Sequence, residues 1–328
     1  MIAFMKEILK EILEIGRVKL PDSPGVIAFF GEGKMLMCGM SSNISDYLGI
    51  YFQDDIEDKH RGELLEQCDK VGYWETGNVF AALLGMKALI QKYAPPFNRM
   101  IRHYDDYVYL GLNFMKVPFV KVESTTIHDY FYIGPFRSRY ILHDVIDSSG
   151  EYFGTPACPG DDYPCELLEA GKCRGYCIQE QEKLAVDLAQ YFLLPKMDNL
   201  AKVKAEIEEL LDGFRFSEAE ASKKSEKVLT RFYHQIAFLL VTKQLNLEYD
   251  YQGKKIEIEG GLIKRIDGRI LDKVKQEYQA NELLAVDKSE LDERWVVYNE
   301  VIHQIPEKLI ECYESTRMQL KEYLLNNK

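Results

Sequence analysis

Short runs of β-forming residues alternate along this chain with longer stretches that carry an apolar side chain every third or fourth position, the pattern of a mixed α+β protein. Residues 1–16 place Ile2, Met5, Ile8, Leu9, Ile12, Leu13 and Ile15 among Lys6, Glu7, Lys10 and Glu11. That spacing predicts an amphipathic helix, and its interrupting charges set it apart from a signal peptide. Pro21 and Pro24 close the helical signal. Val26–Phe30 and Lys34–Cys38 then read as a β-hairpin around Gly31-Glu32-Gly33. Ser41-Ser42-Asn43 offers an N-cap to a helix over Ile44–Phe52. The charged run DDIEDKHRGELLEQCDK predicts a solvated helix, Val71–Trp74 a third strand, and Asn78 opens the helix VFAALLGMKALIQKY, which Pro95-Pro96 ends.

Further on, Gln179–Gln244 is helical in pattern and includes NLAKVKAEIEELLDGFRFSEAEASKKSEKVL, which reads as an antiparallel helix pair. LEYDYQGKKIEIEGGLIKRIDG predicts a β-meander, with alternation through Lys254, Ile256 and Ile258 and turns at Gly253 and Gly260-Gly261. Acidic helices follow, with apolar positions at Trp295, Val296, Val301, Ile305 and Leu309. The expected organisation is an αβ domain over 1–105, a β-rich segment with a cysteine module over 106–180, a helical region over 181–245, and the meander with C-terminal helices over 246–328.

Apolar residues make up 46% of the 328 positions and aromatic residues 12%, enough for packed cores. No stretch approaches the roughly eighteen apolar residues of a membrane span, so no membrane partner and a cytoplasmic location are expected. The formal net charge is -12, with 16 basic against 20 acidic residues up to position 150 and 25 against 33 after it. Neither half can hold nucleic acid by bulk electrostatics, because phosphate binding depends on Lys and Arg releasing counterions. Any nucleic-acid contact must come from a local surface or be lent by a partner.

Chemistry is concentrated in CPGDDYPCELLEAGKCRGYC, where Cys158, Cys165, Cys173 and Cys177 are spaced C-x6-C-x7-C-x3-C. Clustered cysteines in a reducing compartment bind metal or do redox chemistry more often than they form disulfides. Only Cys173 and Cys177 have the tight spacing of a zinc knuckle, whereas iron–sulfur ligation accepts wider gaps, and Pro159, Gly160, Pro164, Gly171 and Gly175 supply turns. Zinc, an iron–sulfur cluster and free thiols all remain open on spacing alone. Cys38, Cys68 and Cys312 are scattered and read as packed thiols. His128-Asp129 and His143-Asp144 are sequence neighbours that point apart on a strand or helix, so they read as surface or packing residues.

Several of these segments together resemble the GIY-YIG nuclease domain and following region of the UvrC family, the incision component of the excinuclease of bacterial nucleotide excision repair. The resemblance is carried by LPDSPGV, KMLMCGMSSNISDYLGIYF, ALLGMKALIQKYAPPFN and YFYIGPFRSRYILHDVID, with Phe131 and Gly134-Pro135-Phe136 in the last, and by the final three cysteines. It runs over roughly residues 18–230 and extends to short stand-alone UvrC homologues, which also close with an Asp-Glu-containing helix. It implies a [4Fe-4S] cluster on Cys158, Cys165, Cys173 and Cys177, with Zn2+ as the alternative and no nucleotide cofactor. It also implies DNA, the excinuclease component UvrB or another repair protein as partner, the helix pair with Phe214, Phe216 and Ala219 resembling the hairpin that engages UvrB. That hairpin's expected Arg-Asp pair is Lys223-Lys224 here.

The family's chemistry uses one divalent cation held by a helix Glu, a tyrosine that helps form the nucleophile, and an Arg and a Lys on the phosphate. Carried over by position, the two strand tyrosines are Ile27 and Met37, the lysine is Met40, the arginine is Tyr47, and the glutamate twelve residues before Asn98 is Met86. Asn98 alone is retained. Methionine and isoleucine offer no hard oxygen ligand and no proton acceptor, which predicts a degenerate GIY-YIG domain without catalytic residues. The alternatives are an active short endonuclease whose metal site is rebuilt from Tyr47, Glu75, Asp105 or Asp106, and a regulatory or assembly protein unconnected to DNA.

Overall fold

The computed structural model describes residues 5–10, 13, 19–52, 58–98, 104–113, 119–126, 130–153, 165–173, 175, 181–193, 197–251, 253–266, 268–270, 284–301 and 305–326. The chain divides into two compact units, Met1–Asp106 and Tyr107–Lys328, and its class is α+β.

The first unit is an antiparallel sheet of β1 (Lys6–Leu9), β2 (Gly25–Gly31), β3 (Lys34–Ser41) and β4 (Lys70–Glu75) in the order β1-β4-β2-β3. The β2–β3 hairpin turns through Glu32 (φ 49°) and Gly33 (φ 75°), two consecutive left-handed residues of the kind that match strand twist. Against the sheet lie α1 (Ile44–Tyr51), α2 (Lys59–Gln67) and α3 (Val79–Tyr93). The side chains of Asn43, Asp58 and Asn78 accept hydrogen bonds from the first-turn N–H groups of these three helices. Helix α3 ends at Ala94 in the left-handed conformation, just before the two prolines.

One sequence expectation is corrected here. Lys6–Leu9 is a strand paired with the outer edge of β4, not part of an N-terminal helix; helical geometry is found at Lys10 and Leu13. The open edge of β4 supplies backbone partners that local periodicity cannot anticipate, and Lys6–Glu75 (3.0 Å) and Lys70–Glu7 (2.8 Å) bridge the two strands.

Alternation along β2 gives the sheet two apolar faces. Val26, Ala28 and Phe30 pack with Ala82, Met86, Leu89 and Ile90 of α3, while Ile27 and Phe29 pack with Ile44 and Leu48 of α1 and Leu64 of α2. A bulge where Phe29 pairs with Met37 and Phe30 with Met35 leaves Leu36 unpaired, so Leu36 and Met37 both belong to the α1–α2 side.

In the second unit, β5 (Val108–Leu112), β6 (Val120–Glu123), β7 (Phe131–Phe136) and β12 (Leu284–Ala285) form a sheet in the order β12-β7-β5-β6, with β12 parallel to β7. The expected meander is a second sheet of β8 (Leu247–Tyr251), β9 (Lys254–Glu259), β10 (Leu262–Ile266) and β11 (Arg269–Ile270). Its helices are α4 (Arg139–Phe153), the single turn α5 (Glu166–Glu169), α6 (Gln181–Leu193), α7 (Met197–Asp212), α8 (Phe216–Thr242), α9 (Leu291–Val301) and α10 (Pro306–Asn326). Phe238 of α8 stacks on Trp295 of α9 at 4.1 Å, and Phe136 of β7 on Phe232 of α8 at 5.7 Å. Asp292, on the first turn of α9, is buried and accepts from Tyr107 Oη (2.9 Å) and from Arg137 Nε (2.9 Å) and Nη2 (2.6 Å). Among the described residues no helix is long and apolar enough to cross a membrane.

Candidate functional site

The six positions matched to the nuclease residues are not gathered at one spot. Ile27, fully buried on β2, Met37 on β3 and Tyr47 on α1 share the α1–α2 face. Met40 on β3 and Met86 on α3, the latter 8% exposed, lie across the sheet in the α3 face. Asn98 sits at the outer edge of β3.

Around Tyr47 the packing is aromatic. Its ring stacks on Tyr51 one turn later, with centroids 5.0 Å apart, and the Tyr51 hydroxyl donates to Met37 Sδ at 3.5 Å. The Tyr47 hydroxyl occupies the space over Gly39, where a Cβ would lie 2.6 Å from it, so a larger residue at 39 would displace the Tyr47 ring. Burial, followed by the adjacent Tyr51, pushes the Tyr47 phenol far above its ordinary value, and burial also raises Tyr51. Neither hydroxyl is poised to ionise near neutral pH. Tyr51 carries no motif signal of its own; its spacing of four residues from Tyr47 is what the sequence offered.

The retained Asn98 has a structural employment. Its Oδ1 accepts from the Cys38 N–H at 2.8 Å and its Nδ2 donates to the Cys38 carbonyl at 2.6 Å, while the Phe97 N–H donates to the Leu36 carbonyl at 3.0 Å. The 97–98 segment thereby pairs with the open edge of β3 as a strand would. His60 stacks on Phe97, with its Nε2 3.2 Å from the Phe97 carbonyl. On the other face the Cys38 thiol is pushed up to about 12 by burial.

The carboxylates considered for a rebuilt metal site lie apart from this cluster in role. Glu75 accepts from Lys6 and from Ser23 Oγ (3.1 Å), and these bonds hold its carboxyl below the ordinary range, Lys6 first. Asp105 and Asp106 are exposed in a single 3-10 turn. Among the described residues no three His, Cys, Asp or Glu side chains come together as a metal-holding group.

Of the cysteine loop, Cys165 and Cys173 are described; Cys158 and Cys177 lie outside the described residues. Cys165 precedes α5, whose amides from Leu168 and Glu169 close on the Cys165 carbonyl at 3.0 and 3.2 Å. The chain then turns through Gly171 (φ 68°), and the Gly175 N–H (φ 69°) donates to Cys173 Sγ at 3.3 Å. Cys173, half-buried between two left-handed glycines with its sulfur accepting a backbone N–H, has surroundings that fit a thiolate ligand, while half-buried Cys165 is extended at the start of α5. Cys38, Cys68 and Cys312 are buried thiols. His143 and His234 are exposed, and His103, His128 with Asp129, and His303 lie outside the described residues.

No family model matches the chain. Among characterised proteins it is similar to UvrABC system protein C of Thermotoga petrophila, 25% identical over 198 residues that cover 58% of this chain and 35% of that protein. The corresponding protein of Solibacter usitatus is 28% identical over 215 residues, covering 61% and 34%, and that of Koribacter versatilis 30% identical over 169 residues, covering 49% and 28%. The chain thus spans about a third of the length of these relatives. A solved structure, the GIY-YIG N-terminal endonuclease domain of UvrC from Thermotoga maritima bound to magnesium, is 26% identical and covers 27% of this chain and 99% of its own, with a TM-score of 0.25. Over the matched part of its length, this is a UvrC-like chain.

Proposed function

We propose that this is a UvrC-like protein of the nucleotide-excision-repair type, whose first unit keeps the GIY-YIG fold without its cutting chemistry and which acts through DNA or a repair partner. The observation that carries this reading is the apolar packing of Ile27, Met37, Met40 and Met86 on two opposite faces of one sheet. A divalent cation needs hard oxygen ligands converging on one point, and these positions offer none. Tyr47 does not compensate, since a phenol whose ionisation burial suppresses is a poor metal ligand and a poor base.

Cys158, Cys165, Cys173 and Cys177 would hold a [4Fe-4S] cluster, with Zn2+ as the competing occupant. Such a group would tie the loop together and, if iron, supply electron transfer. The Gly175 amide on Cys173 would stabilise negative charge on that sulfur.

Two measurements test the reading. Purified protein incubated with lesion-bearing duplex and Mg2+ or Mn2+ should leave both strands intact; an incision that disappears in Tyr47→Phe or Asp105→Asn variants would establish a rebuilt nuclease instead. Protein prepared without oxygen should contain iron and acid-labile sulfide in equal amounts, whereas stoichiometric zinc without iron would replace the cluster assignment.

A further inference from the structure

Helix α8 presents one face that the described fold leaves unpartnered. Its inner side buries Ala219, Leu229, Phe232, Tyr233 and Ile236, while Lys223, Lys224, Lys227 and Arg231 are exposed. Steps of four residues align Lys223, Lys227 and Arg231, with Lys224 beside them, and set successive cations about 6 Å apart along the axis. Among the described residues none of these four side chains makes an ion pair or hydrogen bond. Neighbouring acids are engaged elsewhere: Glu226 with Lys204 of α7 at 3.7 Å, and Glu218 with Arg215. Glu220, one turn before Lys224, marks the N-terminal limit of the row.

Like charges at these spacings repel and cost the helix stability, and in a chain of net charge -12 acids are plentiful enough to have interrupted them. At the same end of the helix stand Phe214, 79% exposed, and Phe216, 62% exposed, their rings edge to face at 6.1 Å. Phe214 is held at φ 58°, a strained conformation for a bulky side chain.

We propose that this face of α8 binds single-stranded nucleic acid, the four cations following consecutive phosphates and the Phe214–Phe216 pair stacking on a base at the end of the row. A row of unpaired cations, with exposed rings one turn beyond Glu220, offers what such strands require, charge for the backbone and a flat apolar surface for unpaired bases. The inference rests on the reading that the protein acts through DNA and names the surface by which it would do so. Lys223-Lys224, the departure from the resemblance, is then the start of the binding row.

The test is anisotropy of a labelled oligothymidylate with the full chain across a salt series. Four phosphate contacts predict that log affinity falls against log salt with a slope of about -3. Reversing all four charges (Lys223→Glu, Lys224→Glu, Lys227→Glu, Arg231→Glu) should weaken binding on the order of 100-fold and flatten the slope; the same positions changed to Gln serve if Glu disturbs the helix. Phe214→Ala with Phe216→Ala should weaken binding roughly 10-fold and leave the slope unchanged. If wild type binds and the charge variants match it in affinity and slope, this surface is wrong while the DNA reading stands. If wild type binds no single strand even at low salt but does bind lesion-bearing duplex, this proposal fails while the DNA reading stands; binding to neither overturns both. A variant that changes sedimentation but not nucleic-acid affinity would identify the face as a contact between copies and overturn the proposal.

Discussion

Asn98, matched by resemblance to a nuclease position, has a structural task of its own. Both ends of its amide are spent on the Cys38 backbone, so its side chain completes an open strand edge. Replacing Asn98 by Ala should cost about 1–3 kcal/mol, because it strands a Cys38 donor and acceptor together. Chemical denaturation of the purified variant measures this, and Asn98→Asp, which keeps the acceptor alone, should fall between Ala and wild type. The same scale explains Met86. That residue 86 is Met was legible in the sequence, but its place across the sheet from Ile27 and Met37 was not, because residue spacing does not say which face of a sheet a helix covers.

At the scale of elements, caps and turns were the most legible part of the chain. Asn43 and Asn78 cap the helices they precede, and the left-handed residues at Glu32-Gly33, Gly253 and Gly260-Gly261 fall where turn chemistry placed them. The reason is that capping and turn formation are settled within a few residues. The N-terminal strand β1 was illegible for the opposite reason: its partner, β4, lies more than sixty residues away. The α7–α8 hairpin holds a conflict between local and functional demands. Phe214→Gly should relieve the left-handed backbone and stabilise the protein by about 1–2 kcal/mol, a rise that a thermal melt would register. On the proposed role of α8 the same change should weaken strand binding, so a gain in both stability and affinity would argue against it.

For the whole molecule, buried hydroxyls set an alkaline limit. Burial, joined by the Asp292 charge, raises the Tyr107 phenol, and burial raises Tyr47. A group whose folded value lies above its unfolded one contributes fully below the unfolded value, about 10 for Tyr, and loses that contribution as pH rises toward the folded value. Stability should therefore hold up to about pH 10 and then fall by about 1.4 kcal/mol per pH unit for each such group. Urea denaturation at stepped pH checks this; Tyr107→Phe and Tyr47→Phe should each flatten the fall above that pH, and an unchanged slope in both would refute the assignment.

By itself, the sequence determined the α+β class, the caps and turns, the meander, the cysteine spacing and the apolar identity of Ile27, Met37, Met40 and Met86. All of these are local in the chain or carried by residue identity. Only the tertiary structure decided that β1 is a strand, that Ile27 and Met86 occupy opposite faces, that Asn98 serves an edge, and that Lys223, Lys224, Lys227 and Arg231 stand on one face of α8 without an ion pair among the described residues. Those outcomes depend on which distant groups supply hydrogen bonds, apolar cover or countercharge, and such partnerships exist only after the chain has packed.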